Sequence, residues 1–458
     1  MKLMLGSQGR PLNEFLRLNA FCRQGPRCYG VAVVFFALIT FTGCAPSDSS
    51  SQTQERRIDR VFSNAVHDDP IYPFLTLLVE QADGTTLFDG SWSNTDFFSG
   101  NEAPTNDDWV RIWSMTKLVT TVLALDLIEE GVIALDDPVS TYLPEIDTMR
   151  VARTMGDHSI SALLESQFSG EGAQEIRELI CPVVTQAQSE TMTVRDLLLH
   201  TAGFYYANID VPCLGDRLAT MKLPSAKNNE EALRRLSQLP LIQQPGERYF
   251  YGLNTTVLGW LLERATGQSL DELVSSRITE PYGISGLAFR PPEGVALPSR
   301  FSGADGRLRE AYEGELDIFG GEQPPYEPNT RLFLGGEGMV ATARGFSHFL
   351  RVVFFPDLAL FEPLLEAESI AAMTAPQIQN DNPWGFMGYA VWISNGRRAD
   401  DTFGRAGMIS GGGYEGTHYW VDLERRRVGL VMTQIFHPAA SGVSLPDRVR
   451  AILDGESL

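Results

Sequence analysis

No Gly-x-Ser-x-Gly elbow, phosphate-binding loop or helix-opening dinucleotide fingerprint occurs in the 458 residues. That excludes the α/β-hydrolase nucleophile turn, P-loop nucleotide chemistry and a Rossmann cofactor site. The six histidines, His67, His158, His200, His348, His418 and His437, are scattered without metal-site spacing, and each reads as structural. No metal and no cofactor are therefore expected. Basic residues are outnumbered, 37 against 58 acidic ones, for a net charge of −21. A surface that acidic repels polyanions, so nucleic acid is not an expected partner. Long apolar runs are missing too. The longest, Val31 to Phe41, is short for a membrane span and fits the hydrophobic region of an export signal.

That run follows Lys2, Arg10, Arg17, Arg23 and Arg27 and ends in Phe41-Thr42-Gly43-Cys44. This ending resembles the cleavage box of bacterial lipoprotein signals, in which the cysteine is lipidated and becomes the new N-terminus. Residues 1–43 are accordingly expected to be a signal peptide. Cys44 would be the lipid anchor, holding the protein in the bacterial cell envelope on the periplasmic side of a membrane. Removing the leader leaves 32 basic residues against 57 acidic ones, a formal charge of −25. The segment from Ala45 to Gln54 is polar and lacks apolar periodicity, so 44–60 reads as a tether and 61–458 as the folded part. Only Cys181 and Cys213 remain there. Export permits a disulfide between them, and nothing in the sequence places them together.

Lysine is scarce, with four in the whole chain, yet one lies three residues after a serine in Trp113-Ser114-Met115-Thr116-Lys117. The apolar run that follows, closed by Gly131, has helical spacing and a glycine stop signal. On a helix, Ser114 and Lys117 would share one face, a turn apart. The serine would also sit near free N–H groups at the helix start, which favour developing negative charge. Burying an amine beside Leu118, Val119 and Val122 is costly unless it finds partners.

Phe74 to Glu80, the turn Asp83-Gly84 and Thr86 to Phe88 read as a β-hairpin. Residues of about 145–300 read chiefly as helices, including Met192 to Gly203 and Leu253 to Thr266 with its stop at Gly267. After 300 the chain returns to strands at Tyr389 to Ile393, Thr417 to Val421 and Val428 to Met432. Sheet segments at both ends around a helical middle predict an α+β fold, an antiparallel sheet flanked by helices with a helical insertion.

Several local strings, in order, are similar to one family. They are Trp113 to Lys117, Leu135-Asp136-Asp137-Pro138-Val139, Thr193 to Gly203, Pro245-Gly246-Glu247-Arg248-Tyr249-Phe250-Tyr251, Gly335-Gly336-Glu337-Gly338-Met339-Val340-Ala341-Thr342, and Gly416 to Asp422. The chain thereby resembles the β-lactamase-related serine hydrolases, which hold class C β-lactamases, DD-peptidases and similar esterases. The resemblance spans about residues 70–440. It implies Ser114 as nucleophile, Lys117 as the amine that shares its proton, and Tyr251 as the phenol that accepts it. A phenol of ordinary pKa, near 10, is a weak base at neutral pH, so the ammonium must lower it. Tyr249 is the competing tyrosine, and the register from Pro245-Gly246 favours Tyr251.

Two departures bear on substrate. The class C pattern Tyr-x-Asn is replaced by Tyr251-Gly252-Leu253, with Asn254 one place late. The third motif aligns with Gly411-Gly412-Gly413, which offers no side chain to a substrate carboxylate. Its backbone still allows close approach, and the N–H of Tyr414 would join that of Ser114 as the oxyanion hole. The expectation is an esterase-like serine hydrolase acting on a small ester or amide, anchored to a membrane. The alternatives are β-lactamase or D-amino-acid peptidase activity, or a non-catalytic cell-wall-binding lipoprotein of the same fold.

Overall fold

The computed structural model describes residues 48–68, 70–99, 103–164, 180–358, 362–378, 385–396, 406–438 and 444–455. The expected signal peptide, 1–43, and the expected lipid-anchor Cys44 lie outside these. Helix α1 (Asp48–Ser63) precedes a hairpin of β1 (Phe74–Gln81) and β2 (Thr86–Ser93). Helix α2 (Thr116–Glu129) follows, then α3 (Val194–Leu198), α4 (Asn254–Thr266) and α5 (Ala343–Phe354). The C-terminal part supplies β3 (Gly385–Met387), β4 (Trp392–Ser394), β5 (Ile409–Gly412), β6 (His418–Asp422), β7 (Arg427–Met432) and helix α6 (Leu445–Leu453). These strands form a seven-stranded sheet in the order β3-β4-β5-β6-β7-β1-β2. Every recorded pairing in it is antiparallel, with Leu78 opposite Leu430 where the two chain ends meet. The expected α+β architecture, with its sheet closed by the C-terminal strands, is the observed one.

Strand β1 is buried on both faces, and its period of two divides the core. Phe74 and Leu78 point into the cluster around α2, whereas Leu75, Leu77 and Val79 meet Ile58 and Phe62 of α1 and Val449 and Ile452 of α6. This corrects the expected tether over its described part, 48–60; residues 44–47 lie outside the described residues. From Asp48 onward the chain is helical, because Ile58, Phe62 and Val66 recur at four-residue spacing and bury against the sheet. Gln54 reinforces the contact by donating to the carbonyls of Ile452 and Leu453.

The chain from Ser49 to Leu458 is one compact unit, and the described residues of 145–300 hold several of its helices together with a two-stranded sheet, Arg150–Thr154 against Val183–Ala187. Cys181 and Cys213 form a disulfide there, with Cα atoms 6.0 Å apart. Two elements are shorter than expected. The helix of 192–203 covers only Val194–Leu198, started by a Thr193–Asp196 capping box and stopped by left-handed backbone at His200 and Gly203. The strand expected at 389–393 begins at Trp392, because Gly388 and Val391 close the turn between β3 and β4.

Candidate active site

Helix α2 is buried almost all round, from Thr116 to Leu127, which makes it the axis on which the site is built. It begins at Thr116, after Ser114. Trp113–Met115 form a separate 3-10 turn, and Trp113 takes a left-handed φ of 46°. A bulky residue in that region is strained and persists only where its surroundings fix it. Here Ile112 donates to Met339 O, the indole is fully buried, and the Tyr414 ring lies 5.4 Å from it. Gly413 approaches from the other side, so that a Cβ there would sit 2.5 Å from Ile112 O. The strain therefore falls on the residue that aims Ser114, which is half-exposed while its neighbours are buried.

Lys117 lies in the first turn of α2, 3% exposed, with Nζ 3.3 Å from Ser114 Oγ. It also donates to Tyr206 Oη at 3.0 Å, Gly336 O at 2.8 Å and Glu337 Oε1 at 3.1 Å. The ring of Tyr251 lies beneath the ammonium, 4.9 Å from nitrogen to centroid, and the two side chains interact by hydrogen bond and charge. Ser114, Lys117 and Tyr251 are thus brought together. Tyr249 turns instead toward His200, with ring centroids 5.9 Å apart. Gly252 lets the chain after Tyr251 press onto Phe204, since a Cβ there would meet Phe204 O at 2.2 Å.

The glycine-rich segment before α5 is tied to α2 by side chains that only polar residues could supply. Thr120 Oγ1 donates to Gly335 O, Thr116 Oγ1 accepts from Met339 N, and Thr256 of α4 donates to Glu337 Oε2. Glu337 is fully buried and also accepts from Tyr206. Burial works against the Lys117 charge, but attraction to Glu337 and Tyr251 outweighs it, so the ammonium is held above the ordinary lysine range. Burial, then the neighbouring Glu337, raises the Tyr206 phenol well above its usual value.

Neither Tyr206 nor Glu337 stands out in the sequence. Glu337 stands inside a recognised string but carries no spacing relation to Lys117, and Tyr206 follows Gly203 with no motif of its own. His200, read as structural, stacks on Tyr251 with centroids 4.9 Å apart and is buried as the neutral ring, its pKa depressed to about 3 by burial and then by Lys117. The displaced Asn254 faces this histidine at 3.0 Å, while Leu253 is buried.

Pairing of β4 with β5 stops at Ser410, and among the described residues Gly411 and Gly412 pair with β6. Their other side is a strand edge next to the Ser114 turn. Beyond it, Tyr414 Oη donates to Asp317, which also accepts from Asn208 Nδ2 at 3.3 Å and lies 3.7 Å from His437 Nε2. Phe319 packs edge-on to Tyr206 at 6.2 Å, and Ala207 donates to Ile318 O. The segment Asp317–Phe319 therefore bounds the site between Tyr206 and Tyr414.

The chain is 26% identical over 408 residues to esterase EstB of Burkholderia gladioli, covering 85% of this chain and 92% of that protein. It is 28% identical over 332 residues to ML-236A carboxylate methylbutanoyltransferase of Penicillium citrinum, covering 69% of this chain and 68% of that one. Among solved structures, EstCE1, a hydrolase with promiscuous acyltransferase activity, has the same fold, with a TM-score of 0.69 and 20% identity over 89% of this chain and all of that one. The Beta-lactamase family profile matches residues 78–454, and with that span and this site the chain belongs to the Beta-lactamase family.

Proposed function

We propose that the protein is an esterase-type serine hydrolase that cleaves small esters or amides through an acyl-Ser114 intermediate. The observation that carries this is Ser114 Oγ 3.3 Å from an ammonium that also contacts Tyr251. In this reading Ser114 Oγ attacks the substrate carbonyl while its proton passes to Tyr251. The oxyanion is met by the backbone N–H groups of Ser114 and Tyr414. The C–O or C–N bond then breaks, the leaving group takes the proton, and water, deprotonated by Tyr251, releases the acid and regenerates Ser114. An alcohol in place of water would give acyl transfer from the same intermediate.

Small, neutral acyl groups suit the site better than β-lactams. Gly411-Gly412-Gly413 present no side chain to a carboxylate, and Asn254 is turned to His200 rather than to substrate. Export with a lipid anchor at Cys44 remains our reading of the leader, and the Cys181–Cys213 disulfide agrees with an oxidising compartment. Purified protein lacking the leader should turn over a chromogenic short-chain ester and barely touch a chromogenic cephalosporin. Equal ester turnover by Ser114→Ala would reject the hydrolase reading in favour of a binding module.

A further inference from the structure

Four acceptors surround Lys117 Nζ: Ser114 Oγ, Tyr206 Oη, Gly336 O and Glu337 Oε1. A carbonyl and a carboxylate can only accept, so the nitrogen must spend protons on both, and an ammonium has three to give. Tyr206 Oη accepts from Lys117 and gives its own proton to Glu337. Two tyrosines therefore share one ammonium, Tyr206 through its oxygen and Tyr251, the motif residue, through a hydrogen bond and its ring. Ionising Tyr206 would set a phenolate against a buried carboxylate, which like-charge repulsion opposes. Tyr251 bonds to the same ammonium beside Tyr206, the two rings 5.8 Å apart.

We propose that Glu337 is a positioning residue that selects the base: it holds Lys117 as a fixed ammonium and Tyr206 as a committed donor, so that the proton of Ser114 goes to Tyr251. This rests on the proposed hydrolase function and adds the residue that decides its proton path. The ammonium can share a proton with Ser114 Oγ but cannot accept one, so the hydroxyl proton of Ser114 must point elsewhere. The other titratable groups facing this network are His200, which stacks on Tyr251 and is neutral, and Tyr249 and Tyr326, both raised by burial.

The test is the pH dependence of kcat/KM for a chromogenic ester, with fluorophosphonate labelling of the parent protein as control. In Glu337→Gln the ammonium loses its counter-charge while buried, so the alkaline fall in kcat/KM should move down by about one pH unit or more. Glu337→Asp should move it back toward the parent position. Tyr251→Phe should lose ~10²- to 10⁴-fold, and Tyr206→Phe less than about tenfold. A uniform loss in Glu337→Gln with an unmoved alkaline limb makes Glu337 purely structural and overturns the proposal. A rise in rate near neutrality overturns it as well, because the free amine would then be the base. If Glu337→Gln does not fold, the two tyrosine variants decide, and a larger loss in Tyr206→Phe refutes the selection. Failure of the parent protein to label counts against the hydrolase reading instead.

Discussion

Acidification tests how the structure holds Tyr251 in place. His200 is 1% exposed and lies against Tyr251, and its ring nitrogens face Asn254 Nδ2 at 3.0 Å and Thr255 Oγ1 at 3.5 Å. Burial and the nearby Lys117 depress its pKa to about 3, from an ordinary value near 6.5. Because the folded value is depressed, the stability it confers is fully present above the unfolded value and is lost as pH falls from 6.5 toward 3. Going from about pH 7 to about pH 5 then costs roughly 2 kcal/mol from this one ring, at ~1.4 kcal/mol per pKa unit. His200→Asn is the informative variant. Asparagine tolerates the left-handed φ of 55° found here, and its amide oxygen can accept from Asn254 as the imidazole does. It cannot take up the proton. Urea unfolding at the two pH values should show the variant losing about 2 kcal/mol less than the parent. Some acid loss should persist, because the half-buried His418 likewise has its pKa depressed to about 3, by desolvation and then by Arg450. An identical loss in parent and variant would refute the reasoning, since His200 would then be protonated in the fold or free to leave it.

Two other perturbations bear on the site. Gly413→Ala places a methyl 2.5 Å from Ile112 O and 2.2 Å from Thr417 Oγ1, so it should push the strand edge off the Ser114 turn. A cost of about 1–3 kcal/mol in stability is expected, with a tenfold or greater fall in kcat; an unchanged kcat in a folded variant would detach the glycine strand from the oxyanion hole. Asp317 puts a carboxylate at the rim beside Tyr414. Asp317→Asn should therefore raise kcat/KM for an anionic hemisuccinate ester relative to a neutral butyrate by roughly two- to fivefold, less at high salt. An equal ratio in both proteins would place Asp317 outside the substrate's field.

Features set by local spacing are legible in the sequence. Ser114 and Lys117 are close, although Ser114 sits in the 3-10 turn just before α2, the β1–β2 hairpin carries its Asp83-Gly84 turn, and Gly267 ends α4 with a left-handed φ of 74°. Ordered motifs added Tyr251 and the glycine strand, which the fold brings to the same nucleophile turn. What could not be read depends on which loops press on α2. Glu337 reaches Lys117 across 220 residues of sequence and Tyr206 reaches it across 89, contacts that no periodicity encodes. The disulfide joins cysteines 32 residues apart, a separation that says nothing of their distance in space. The helix at Asp48–Ser63 was misread because its first turns are polar; the seam that docks it begins only at Ile58.

Acyl transfer by this site requires an acyl-enzyme on Ser114. Its most direct test is intact-protein and peptide mass spectrometry after a brief incubation with an activated short-chain ester, quenched in acid. One acyl group should appear on the peptide that contains Ser114, and none on the Ser114→Ala protein. An adduct on another residue, or ester turnover that survives in Ser114→Ala, would contradict the account.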